Sequence, residues 1–206
     1  MGEFKNYYNK IKICIVCEGY EEYEYLDKLI KLNIFDKAYD INLVNAKGNG
    51  NIFARYQDIY QRNKYHIIFV FCDTEQKPYE QFMDIKDKID ELYDQKGISD
   101  KLVIFANPCT MQIILLHFGN IALKSSQKSK NAEDIERLTG INGYNASEEK
   151  RKELFDKITK ENYVEMKERI KTMSLNCNNR NSTNISPFLK YLEKYNDEWV
   201  EKAYNN

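Results

Sequence analysis

His66-Ile67-Ile68-Phe69-Val70-Phe71-Cys72 is apolar and rich in β-branched and aromatic residues from end to end, and it stops abruptly at Asp73-Thr74-Glu75. A strand with one face in water alternates apolar and polar residues. This one does not, which is the pattern of a central parallel strand covered by helices on both sides. Upstream, Ile11-Lys12-Ile13-Cys14-Ile15-Val16-Cys17 reads as another mostly buried strand, ending at Glu18-Gly19. Tyr23, Leu26, Leu29 and Ile30 then recur at helical steps between charged residues. Asp40 to Ala46 is a further strand, closed by Lys47-Gly48-Asn49-Gly50-Asn51, with a helix from about Ile52 to Arg62. Downstream, Phe82, Ile85, Ile89 and Leu92 mark a helix, and Lys101 to Ala106 a fourth strand ending at Asn107-Pro108. Strictly alternating strands and helices predict an α/β domain over residues 1–119: a parallel four-stranded sheet with helices on both faces.

Beyond Gly119 the texture changes. Lys124-Ser125-Ser126-Gln127-Lys128-Ser129-Lys130-Asn131 is polar, small and basic without apolar periodicity, and reads as a loop or hinge. Helices are expected near 132–138, 147–172 and 187–204, with Asn176 to Asn184 as a polar break. Ser186-Pro187 is a start signal for the last, whose stripe is Phe188, Leu192, Tyr195 and Trp199. These stripes, with Leu154, Phe155 and Ile158, are too many for short helices to bury among themselves. Residues 120–206 are therefore expected to form a C-terminal helical extension packed on the α/β domain, its basic loop over the carboxyl edge of the sheet.

Composition narrows the function classes. The 206 residues are 42% apolar, 31% charged and 13% aromatic, the profile of a globular chain. Thirty-one basic against 32 acidic residues leave a net charge of −1, so any polyanion must be met by a local patch. No apolar run approaches the about 18 residues a membrane crossing needs. The N-terminus lacks a signal-peptide pattern and five cysteines cannot all pair, which points to a reducing cytoplasm.

In parallel α/β sheets, functional groups gather beyond the carboxyl ends of the strands. Glu18 ends the first strand, Glu22 lies one helical turn later, and Asp73 and Glu75 end the third. If these strands are neighbours, the carboxylates converge. Such crowding favours a cation, and hard oxygen ligands suit Mg²⁺ or Mn²⁺, which polarises a phosphodiester and activates water. The plainer alternative, acids that are merely solvated or cap a helix, stands beside it.

Ile15-Val16-Cys17-Glu18-Gly19-Tyr20-Glu21-Glu22, Asp73-Thr74-Glu75, and Asn107-Pro108-Cys109 leading into Leu115-Leu116-His117-Phe118 resemble the successive motifs of RloB-like Toprim proteins. The resemblance covers about residues 11–119, and its most specific part is the last block. It implies a Toprim-like fold and Mg²⁺-dependent cleavage of DNA or RNA in bacterial anti-phage defence or abortive infection. By position, it implies Glu18 as general base or metal ligand, with Glu22 assisting, and Asp73 and Glu75 as metal ligands. Two departures are visible. Glu75 replaces the usual aspartate, and Thr110-Met111 stand where the family pattern has an aromatic residue and a glutamate. The missing acid keeps a second reading open, a catalytically weakened module that senses a trigger or docks on a partner ATPase. Self-association is open under both.

Other features are less specific. Cys14 and Cys17 have the spacing of a metal or redox pair but, three apart on a strand, point to opposite faces. The Gly48-Asn49-Gly50 turn lacks the third glycine of a dinucleotide loop, Phe53 standing in its place, though its amides and Lys47 could sit near a phosphate. His117 reads as a packed, hydrogen-bonded histidine, with an accessory catalytic role as the alternative. Lys47, Lys124, Lys128, Lys130 and Arg180 are the expected phosphate contacts, with plain solvated loops as the alternative. Sixteen tyrosines offer stacking surfaces for bases.

Overall fold

The computed structural model describes residues 10–75 and 79–196. Four parallel strands, β1 (Ile11–Cys17), β2 (Tyr39–Asn45), β3 (Ile67–Asp73) and β4 (Val103–Asn107), form the sheet in the order β2-β1-β3-β4. The expected α/β architecture is thus present. A short fifth strand, β5 (Ser182–Thr183), pairs antiparallel with β4. It falls in the stretch that the sequence marks only as a polar break, because two residues carry no readable period.

The chain leaves β1 through α1 (Tyr20–Lys31) to reach β2 on one side, then crosses back through α2 (Ile52–Gln61) to β3 on the other. Right-handed crossovers in opposite directions put α1 and α2 on opposite faces. From β3 the path continues the same way through α3 (Glu80–Tyr93) and the short α4 (Ser99–Leu102), so α3 packs beside α2. The direction of winding reverses between β1 and β3. A crevice opens at such a switch point, outside the carboxyl ends of the two strands.

After α5 (Met111–Leu115) come α6 (Lys128–Thr139), α7 (Glu148–Asp156), α8 (Lys160–Ile170) and α9 (Ile185–Glu193). The stretch read as one helix over 147–172 is two. Thr159 caps α8 by accepting from the Asn162 N–H (3.3 Å), while Asn162 Oδ1 accepts from the Thr159 N–H (2.9 Å). This reciprocal box starts a new helix inside what looked like a continuous period. The basic loop is also shorter than expected, since Lys128 opens α6. The last helix ends at Glu193, short of the expected 204, with Lys194 already extended; Trp199 lies outside the described residues.

The C-terminal segment shares the core of the sheet. Leu154, Phe155, Ile158, Phe188 and Leu192 are buried in one cluster with the strands, and Phe188 meets Phe69 of β3 edge to face at 5.1 Å. The start of α9 differs from the Ser186-Pro187 expectation: the helix begins at Ile185, and Asn184 acts on β4. Its Oδ1 accepts from Phe105 N–H and its Nδ2 donates to Val103 C=O, both at 2.8 Å. One side chain thereby satisfies an edge that a two-residue strand is too short to pair. Asn184→Ala strands both groups and is expected to lower stability by about 1–3 kcal/mol in urea denaturation.

Candidate active site

The switch-point crevice is built by register. Cys17 lies opposite Phe71, so Glu18, the next residue, meets the end of β3. Its N–H donates to Phe71 C=O (3.0 Å), and its Oε2 accepts from Asp73 N–H (3.0 Å). Asp73 is held in turn by Thr110, whose backbone N–H (2.7 Å) and hydroxyl (2.9 Å) both donate to Oδ1. Glu22, at the third position of α1, reaches back to the Gly19 N–H (2.9 Å). That is the half of a capping box which a glycine cap permits. Glu18, Glu22, Asp73 and Glu75 all line one pocket of about 400 Å³, with Gly48 at its wall.

Crowding in a partly dry crevice makes Glu18, Asp73 and Glu22 hold their protons more tightly. Burial, then Glu22, push the Glu18 carboxyl up to about 7, with Glu75 and Glu21 adding to the shift and the Asp73 N–H opposing it. Burial, Glu22 and Glu18 raise Asp73 well above the usual carboxylate range, against the Thr110 hydrogen bonds. Burial and then Glu21 raise Glu22. Among the described residues, no three histidine, cysteine or acidic side chains stand as a ready-made ligand cage. Oxygens of Glu18 and Asp73 are engaged by the chain's own N–H and O–H groups. Mg²⁺ needs no such cage, because it keeps several waters and is held through one or two carboxylates. The all-oxygen donor set and its excess negative charge fit such an ion.

The other expected site residues are dispersed. Lys47 is exposed and bends the chain in the left-handed region (φ 61°) ahead of Gly48 (φ 121°), whose N–H donates to Glu18 C=O (2.8 Å). This is the tight-turn reading of the glycine pair. Lys124 and Lys130 are exposed on either side of Ser126, which lines the pocket, so the basic segment does approach the acids. The Lys128 side chain lies outside what is described. Arg180 is exposed in the loop leading to β5 and does not line the pocket.

His117 is buried away from the pocket, in the turn after α5. It meets the Tyr25 hydroxyl through Nε2 and Asn162 Oδ1 through Nδ1, each at 3.1 Å. Burial lowers its pKa to about 4, leaving a neutral ring that ties α1 to α8. Its partners are those of the packed histidine. Cys14 and Cys17 are buried, and burial lifts the Cys14 thiol to about 12, so the pair behaves as core.

Sequence reasoning missed three residues here. Thr110 was visible only as a departure from the family pattern, yet it orients Asp73. Tyr144 donates to Glu21 (3.0 Å). Arg151 lines the pocket, with Nε and Nη2 on Glu24 (2.9 and 3.0 Å) and Nη1 on Ala146 C=O (2.6 Å). Nothing in a run of charges on a surface helix marks one arginine as half of a crevice. Compared with known proteins, the chain matches no family model, no curated protein and no solved structure, so its function is argued from the residues of this site.

Proposed function

We propose that the protein is a Toprim-type, Mg²⁺- or Mn²⁺-dependent nuclease acting on DNA or RNA in bacterial anti-phage defence. The observation that carries this reading is the convergence of Glu18 and Asp73, from adjacent parallel strands, with Glu22 and Glu75 in one switch-point pocket. Of the three expected ligands, Glu18 and Asp73 would hold the ion with its waters, and Glu75 would add negative charge beside them. Bound there, the ion supplies electrophilic polarisation of a phosphate oxygen and a more acidic water.

The chain's own groups supply the rest. Without metal, burial and its acidic neighbours hold the Glu18 carboxyl up at about 7, and a bound cation would lower it, so Glu18 would serve as an ionised ligand or as the proton acceptor for water. The Asp73 N–H fixes one of its oxygens and so orients the other. Thr110 does the same for Asp73, and the buried carboxyl of Glu22 adds to the acid cluster. Exposed Lys47, Lys124 and Lys130 offer phosphate contacts around the rim.

The second reading, a catalytically weakened module that senses a trigger or docks on a partner ATPase, is favoured by Met111. This residue replaces the family's glutamate and lies buried in the core. Incubation of the protein with labelled DNA and RNA in Mg²⁺, Mn²⁺ or EDTA separates the two. Cleavage that EDTA stops supports the nuclease. Binding with no cleavage in either metal supports the weakened module.

A further inference from the structure

We propose that Tyr20 is a stacking platform for an unpaired nucleobase, and hence that the strand entering the acidic pocket is single-stranded at the site. This rests on the nuclease reading above and names its substrate class.

The pocket poses a physical problem for that reading. Its lining carries five acids, Glu18, Glu21, Glu22, Asp73 and Glu75, and Arg151, whose charge is already met by Glu24. The lining itself disfavours a polyanion until a cation binds, so an anchor that does not depend on charge would add to the lysines in holding the strand beside it. Tyr20 fits that role. It lines the same pocket two residues from Glu18, and it is 53% exposed although it opens a well-formed helix.

The ring is also held in place. The Arg151 guanidinium sits 4.8 Å from its centroid, and three hydrogen bonds to Glu24 and Ala146 fix that guanidinium. An aromatic ring backed by an immobile cation, with more than half of its residue's surface open, loses little freedom when a base lies on it. Stacking is sequence-tolerant because every base has a π-face. A base inside a duplex already has both faces covered by its neighbours, so only an unpaired one can use this surface.

The test uses 12-nucleotide single-stranded DNA and RNA carrying 2-aminopurine, and the same DNA as a duplex, titrated with the full chain in Ca²⁺. Binding of the single strand is expected to quench the probe, with the duplex bound several-fold more weakly. Tyr20→Ala should weaken binding by about 10-fold and remove the quench. Tyr20→Phe and Tyr20→Trp should keep both, and Tyr60→Ala, an exposed tyrosine on α2, should change neither. Tyr20→Leu, which keeps the bulk without the π-face, decides the matter if the alanine variant melts early. Unaltered affinity and quenching in Tyr20→Leu, or a duplex bound as tightly as the single strand, overturns the platform and leaves the nuclease reading standing. Failure of the unaltered protein to bind any of these oligonucleotides removes both.

Discussion

Asp73→Asn and Glu18→Gln should each reduce metal-dependent cleavage by at least about 10²-fold, the scale of losing a positioned proton acceptor or ligand. Each change removes one charge and conserves shape. The asparagine oxygen still accepts from the Thr110 N–H, and the glutamine oxygen from the Asp73 N–H, so both variants keep the contacts that shape the crevice. The fold should therefore survive. In EDTA both variants should melt higher than the unaltered protein at pH 8, because each deletes a carboxylate that its neighbours disfavour. Cleavage at the original rate in both would place the active centre elsewhere. Lowered melting temperatures in both would show that the acids contribute to the fold and do not strain it.

The second large effect is on stability against pH in the absence of metal. A carboxyl held near 7 against an ordinary 4.5 binds more protons in the folded chain than in the unfolded chain between those values. Stability from Glu18 therefore falls as pH rises through this window, by on the order of 3 kcal/mol at its end, and the raised Asp73 and Glu22 act in the same direction. His117 works oppositely. Its pKa is lowered from 6.5 to about 4, so the unfolded chain takes up the proton first and stability is lost as pH falls below 6.5. Between pH 4.5 and 6.5 the Glu18 and His117 slopes nearly cancel, so the raised Asp73 and Glu22 set the sign and stability in EDTA falls as pH rises. Glu18→Gln should make this fall shallower. Saturating Mg²⁺ should also reduce it, because a cation takes the place of the bound protons. Melting curves from pH 4.5 to 8.5 with and without Mg²⁺ measure this, and a pH slope unchanged in Glu18→Gln would refute the assignment.

The sequence by itself determined the parallel α/β core. The apolar runs Ile13–Cys17 and Ile67–Cys72 leave no solvent face, and that requirement is local. It also placed Glu18, Asp73 and Glu75 at the ends of the right strands, since a strand must stop where burial stops, with Glu22 one helical turn beyond Glu18. Only the tertiary structure decided that β1 and β3 are neighbours, and hence that these acids share one pocket, because strand order depends on crossovers that leave no mark on composition. Tertiary structure likewise turned Asn184 into an edge partner for β4 and brought Arg151 against Tyr20, more than a hundred residues away. Contacts of that span are chosen by packing after the elements exist. The period of a helix tells which face is buried, not which residue of a distant helix will meet it.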